Sequence, residues 1–553
     1  MASASTIHVA HFRQILLWPL RLMAHAGRDE QLAKPWEILQ RMGDDCPWRE
    51  VDDEYTGSAD QFHERHYNEF VTFLPYVQQF LYGEGRAARG LGSKASESPM
   101  RVFRRTDVRH ARMRLRPQDA PITLDIVHVD LYFFLDVDLV LLNVEVSTDQ
   151  LLLARAQELM YRFGRGYPAG WQSNGIAMHC LASIEWLGAD GTVLAQSDAN
   201  EKDLFLAHVA NHRAPRIAAH WAWLLQPLVS DHSGQTGALR YRQIEYYRMP
   251  MMAYLALDKP ELLTRNDFIR LGLVTGAGNS ADHEDAGLPY AEQHLADFEQ
   301  RYCYDRFWTK GGAAPYTRYL CTGHALVVVG PAQSEFFSCR DRGVLSQFRH
   351  QHFLLFMIAH FQKASLLMYS DLLVEALKQL DLNNLTSVRR FKRAIRASFA
   401  GFLRFTHRYW FHEVAEQAQA RALFHMCAGH LGLDPLYAEV KERIADMNSY
   451  LEADSLRRQA NTVVRLTVVT IFGLIGTVST GFLGMNLLAE ADAPLPRKLL
   501  IFATVFVLTL ILTVYTMMKS KRLSDFLDAL SDERLSAWQK CKALAMVWRA
   551  DDR

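Results

Sequence analysis

Neither sign of charge dominates this 553-residue sequence: 61 Lys and Arg are matched by 61 Asp and Glu. A nucleic-acid-binding chain normally carries a basic surplus, so nothing here points to a nucleic-acid partner. Cysteine is sparse. The seven cysteines, at 46, 180, 303, 321, 339, 427 and 541, are odd in number and form no C-x-x-C pair. Such spacing argues against a disulfide scaffold or a zinc ribbon, and for a reducing compartment. A secretory leader is missing too. The first apolar run, ILLWPL, contains Pro19 and lies between Arg13 and Arg21, whereas a leader needs a longer clean apolar region behind a basic start. We read it as a buried strand or turn, which leaves the N-terminus in the cytosol.

Catalytic signatures are also lacking, and no enzyme activity is expected. GEGRAARGLGSKAS (83–96) does not end in the G-K-[ST] of a phosphate-binding loop and follows no clear strand. HERH (63–66) lacks the spacing of a zinc-protease helix, and His350 and His352 in RHQHF read as partly exposed side chains beside a helix. The acidic groups Asp52-Asp53-Glu54 and Asp282-His283-Glu284-Asp285 read as solvated loops; hard cations prefer carboxylate oxygens, so a weak regulatory divalent-cation site there stays open. No resident cofactor is implied.

What the sequence does have is two long uncharged runs near its end. LTVVTIFGLIGTVSTGFLGMNLLA fills 466–489 and LLIFATVFVLTLILTVYTMM fills 499–518. A helix needs about 20 apolar residues to cross a hydrocarbon core of about 30 Å, so both read as transmembrane helices joined by an external loop at 490–498. Arg457, Arg458 and Arg465 precede the pair and Lys519, Lys521 and Arg522 follow it. The positive-inside rule then puts both termini in the cytoplasm of a two-pass protein of the cell (inner) membrane, with 519–553 as a cytosolic tail.

The two runs differ in character. The second is rich in Leu, Val, Ile and Phe all round, as a lipid-facing helix is. The first is rich in glycine and hydroxyl side chains, and one stripe joins Val463, Thr467, Thr470, Leu474, Thr477, Gly481 and Gly484. Small residues allow close helix approach. That stripe fits packing against the second helix and, equally, a narrow pore enclosed by several copies.

Upstream, Asp434-Pro435 reads as a helix start, with an acidic N-cap and proline at the first helical position. Leu436, Val440, Ile444, Met447 and Leu451 form an apolar stripe. No glycine or proline interrupts the chain from there to Phe472, so one helix is expected to run into the first membrane segment. Residues 343–465 thus read as a helical stalk region, its exposed stripe buried against other copies. Residues 1–342 read as a cytosolic α/β (α+β) domain. In it APITLDIVHVDLYFFLDVDLVLLNVEV (120–146) forms two strands breaking near Asp136-Val137-Asp138, DQLLLARAQELMYRF is helical, and AMHCLASIEWLGADGTVLAQS gives two strands joined at 188–191.

Gly484-Met485-Asn486, closing the first of two C-terminal membrane helices behind a long cytosolic helix, resembles the signature of the CorA-like divalent-cation transporters. The resemblance covers about 435–522 closely and the rest only in general architecture. It implies a funnel-shaped homopentamer in the lipid bilayer, with five first helices lining the pore. By position, Gly484, Met485 and Asn486 would form the external mouth, Thr477 a polar ring, and Leu474 and Leu466 apolar constrictions. Glu490 and Asp492 would draw cations to the loop, and Asn486 would meet the metal through its hydration shell. Leu483 stands where the family often has an aromatic, and the loop lacks the family's Met-Pro-Glu-Leu. The implied function is passage of divalent cations, Mg²⁺ first. The alternatives are Zn²⁺, Co²⁺ or Ni²⁺ transport on the same fold, or a membrane-anchored cytosolic sensor or interaction protein with a non-conducting hairpin.

Overall fold

The computed structural model describes residues 7–23, 34–51, 64–83, 99–245, 247–277, 291–295, 297–378, 380–381, 384–484 and 494–497, with single positions and pairs between 499 and 515. The chain divides into two compact units, Met1–Glu442 and Arg443–Arg553.

The first unit is built on one mixed sheet. Its strands are β1 His8–Met23, β2 Trp48–Glu50, β3 Met100–Arg105, β4 His110–Arg114, β5 Ile122–Phe134, β6 Val137–Leu152, β7 Ser183–Leu187 and β8 Val193–Gln196. They continue with β9 Val229–Ser230, β10 Arg240–Gln243, β11 Met251–Leu257, β12 Cys303–Tyr304, β13 Arg318–Cys321 and β14 Ala325–Pro331. The main order is β12-β13-β14-β11-β1-β6-β5-β4-β7-β8. Only β11–β14 and β9–β10 pair in parallel; the other pairs are antiparallel. The domain is therefore of the α+β kind.

The strands expected from ILLWPL, from 120–146 and from 177–197 are all present. Pro19 sits inside the 16-residue β1, an unusual place for a residue with no N–H to donate. The pairing explains it: β11 pairs with β1 only as far as Leu16, and β10 begins pairing at Leu20. At Pro19 the strand has a ladder partner on the β6 side, at Leu141, and none on the other. Asp136, one of two residues turning β5 into β6, has φ of 65°, a region aspartate tolerates better than most. Its carboxylate accepts from Arg404 at 3.3 Å and Arg408 at 2.6 Å, tying the turn to helix Leu385–Arg408.

Both faces of the sheet are covered at its centre, which is why the second half of β5, the middle of β6 and all of β11 are nearly continuous buried runs. One face carries an aromatic cluster in which Trp221 meets Trp18, Phe163 and Trp186 with ring centres 5.6–6.3 Å apart. The Trp221 and Trp186 indoles donate to the carbonyls of Arg165 and His220 at 2.8 and 3.0 Å. Helix Phe353–Lys378 lies against β1 and β6, with Phe361 stacked on Phe134 at 4.1 Å. The sequence reading places this helix in the stalk region 343–465; its 17 buried residues make it a core element of the sheet unit.

Gly330 on β14 gives a direct test of that packing. A Cβ there would strike the ring of Phe337, which is fully buried, stacked on Tyr254 at 4.7 Å, and cannot swing away. Gly330→Ala is expected to cost about 1–3 kcal/mol, read as a lower urea midpoint with an unchanged slope. An unchanged midpoint would mean the ring has room to move.

Helix Leu433–Gly484 is unbroken over 52 residues, about 78 Å at 1.5 Å per residue. It starts at Leu433, one residue before the expected Asp434 cap, because Gly432 at φ of 65° ends helix Ala418–Leu431 immediately before it. Of the expected stripe, Val440, Ile444 and Leu451 are buried and Leu436 and Met447 half-buried. Val440 is already fully buried in a single chain, so its burial needs no second copy.

Candidate functional site

The sequence singles out the C-terminal half of helix Leu433–Gly484. Leu466, Leu474, Thr477 and Gly484 all fall on it. At 100° per residue these four, with Thr470, lie within an arc of about 80°. They share one face, and that face is open: Leu466 is 62% and Leu474 64% exposed, and Thr470, Thr477 and Gly484 are exposed as well. Val468, roughly opposite on the helix wheel, is buried.

The threonines are arranged by local chemistry. Each hydroxyl donates back to the carbonyl four residues earlier: Thr467 to Val463 at 2.9 Å, Thr470 to Leu466 at 2.8 Å and Thr477 to Gly473 at 2.9 Å. Thr480 does the same to Gly476 at 2.9 Å. A hydroxyl has one proton and two lone pairs. With the proton committed to the backbone, the oxygen offers only lone pairs outward and acts as an acceptor. Residues 466–484 carry no charged side chain, so the acceptors on this face are neutral oxygens.

Contacts among the described residues leave the glycines of this stretch unexplained. A Cβ placed on Gly473, Gly481 or Gly484 meets no described atom within 4 Å. Glycine lowers helix stability by roughly 1 kcal/mol relative to alanine, so three of them on an exposed helix call for a close neighbour. Gly484 is the last residue of the helix.

Met485, Asn486, Glu490 and Asp492 lie outside the described residues, as do most of 499–518 and the tail 519–553. So do the acidic groups at 52–54 and 282–285 and the glycine-rich stretch 84–96. His350 and His352 are not brought together as ligands. His350 Nδ1 lies 3.2 Å from Glu69, while His352 is buried edge-on to Tyr319 at 5.5 Å, and burial lowers its pKa to about 4. Among the described residues no group of three or more His, Cys, Asp or Glu side chains is placed to hold a metal ion.

By length and composition, one helical segment among the described residues could cross a membrane. It is Val344–Lys378, with mean hydropathy 1.2 and 83% of the apolar window buried. That burial belongs to the sheet unit's core. A shorter apolar stretch, Gln459–Leu474, lies on the long helix.

Sequence reading missed an ionic cluster under the sheet. Glu145 on β6 accepts from Arg13 of β1 at 2.9 Å and from Arg349 at 2.7 Å, with His128 of β5 at 3.9 Å. No local pattern signals it, because Arg13 and Arg349 are 336 positions apart. It also missed His208 and His212, whose four-residue spacing was visible.

No family model, curated protein or solved structure matches this chain.

Proposed function

We propose that this chain is a membrane channel or transporter for divalent metal cations, Mg²⁺ foremost. In this reading the hydrated ion passes down its electrochemical gradient through a pore lined by the C-terminal half of helix Leu433–Gly484. The observation that carries the proposal is the exposed face of Leu466, Thr470, Leu474, Thr477 and Gly484, which leads directly into Met485-Asn486.

Mg²⁺ gives up its waters reluctantly, so a passage for it must recognise the hydrated ion with neutral oxygens. The outward lone pairs of Thr470 and Thr477 and the Asn486 amide are such groups. Five copies, the number the family resemblance implies, would gather five negative helix ends around one mouth. Leu474 and Leu466 would narrow the path with apolar rings that gate by excluding water. The membrane potential supplies about 2.3 kcal/mol per charge per 100 mV, so no nucleotide is needed. The glycines would let neighbouring helices approach closely.

The test is Mg²⁺ entry into liposomes containing the purified full-length protein. Flux is expected with the unaltered chain, and near-background flux with Asn486→Ala. Thr477→Val, which removes only the hydroxyl, is expected to slow flux while leaving the assembly mass unchanged. Absence of Mg²⁺ flux, or equal flux from Asn486→Ala, would sink the proposal, as would a monomeric mass in native mass measurement.

A further inference from the structure

Helix Lys202–His212 (KDLFLAHVANH) buries only Phe205 against the body of the first unit. His208 and His212 are four apart and therefore neighbours on one face. Their ring centres are 4.6 Å apart. Two imidazoles bound to one ion at about 2.0–2.1 Å, with ligand angles of about 90–110°, have ring centres roughly 4.5–5.2 Å apart. The observed spacing falls inside that window before any metal is added.

The surroundings favour nitrogen ligation. His208 Nε2 is buried and has no hydrogen-bond partner, so a lone pair there is not occupied by a protein donor. Arg216, which acts on His208, is itself paired with Asp198, whose carboxylate accepts from Arg216 at 2.5 Å and from the Ala219 amide at 2.7 Å. The donor set is thus two imidazoles with water completing the shell. Imidazole suits Zn²⁺, Cu²⁺ and Ni²⁺, whereas Mg²⁺ and Ca²⁺ require oxygen.

We propose that His208 and His212 form a two-histidine binding site for a divalent transition-metal ion of the Zn²⁺, Cu²⁺ or Ni²⁺ type on the Met1–Glu442 unit. The site is independent of the transport reading and would survive its failure. Through it the soluble unit would respond to imidazole-binding metals while ignoring Mg²⁺.

The experiment is Zn²⁺ titration of untagged full-length protein by calorimetry, comparing the unaltered chain with His212→Asn and His208→Asn, and with His425→Asn as a distant control. His212 is exposed, so its replacement leaves the fold intact. Loss of an outer-shell partner alone typically weakens a metal site 10–100-fold, so loss of a ligand is expected to weaken one Zn²⁺ equivalent by roughly that much or more. The control should match the unaltered protein, and a large excess of Mg²⁺ should not displace the ion. Electron paramagnetic resonance of bound Cu²⁺ should show coupling to two nitrogens in the unaltered chain and one in His212→Asn. Any Zn²⁺ bound elsewhere is common to all variants and cancels. Identical isotherms and identical nitrogen coupling for the unaltered chain and His212→Asn would overturn the proposal.

Discussion

Glu145→Ala is expected to lower the unfolding free energy of the Met1–Glu442 unit by about 3–5 kcal/mol, the usual consequence of leaving buried charge unpaired. The Glu145 side chain is 5% exposed, and its partners Arg13 and Arg349 are 13% and 17% exposed. Arg349 binds both carboxylate oxygens, at 2.7 and 3.3 Å, and Arg13 adds a third bond at 2.9 Å. Removing the carboxylate leaves two guanidinium groups close together without their shared counter-charge. Burial alone would raise the Glu145 carboxyl, but Arg349, His128 and Arg13 outweigh it and hold it below the ordinary carboxylate range. Its stabilisation is therefore complete above the unfolded-state value of about 4.3 and is lost as pH falls through the lower folded value. Urea unfolding at neutral pH checks the magnitude. Glu145→Gln keeps the shape and one acceptor and should lose less. Equal stability of Glu145→Ala and the unaltered chain would show that water reaches the two arginines.

A loss of similar size or larger is expected on mild acidification. His220, His352 and His360 are buried, and burial lowers their pKa values to about 3, 4 and 3. The geometry agrees. In all three rings Nδ1 is buried without a partner, and His360 Nε2 donates to the Gly323 carbonyl at 3.0 Å, so a second ring proton would find no acceptor. In the unfolded chain these rings titrate near 6.5. The unfolded state therefore takes up protons first. Stability is complete above about pH 6.5 and falls as pH drops toward the folded values, by roughly 2 kcal/mol per histidine at pH 5. Glu245 opposes this in part, since burial raises its carboxyl despite Lys363 at 3.4 Å. The urea midpoint at pH 5 should lie well below that at pH 7, and His360→Gln should shrink the gap. A midpoint independent of pH over this range would refute the assignment of neutral buried rings.

How much of this was legible beforehand depended on how local the cause was. Strands β5 and β6 could be read from a run of β-branched and aromatic residues broken at Asp136, because the same residues that form the strands also mark the turn. Helix Leu433–Gly484 could be read because its apolar steps and freedom from interior proline are properties of consecutive residues. The stripe of Thr470, Leu474, Thr477 and Gly484 followed from helical periodicity, whereas Leu466 was singled out only through the family resemblance. Helix Phe353–Lys378 shows the limit. Its composition satisfies a membrane span, yet it is buried against β1 and β6, and only the surrounding sheet separates those two fates. Likewise β11 lies between β1 and β14, strands far from it in the sequence. The Arg13–Glu145–Arg349 cluster, the three neutral histidines and the state of His208 belong to the same class. The sequence alone thus determined the elements and the chemistry carried along one helix, because hydrogen bonding and periodicity act between near neighbours. Only the tertiary structure decided which charges share a buried space and which apolar helix is core, because burial and desolvation depend on what distant segments bring together.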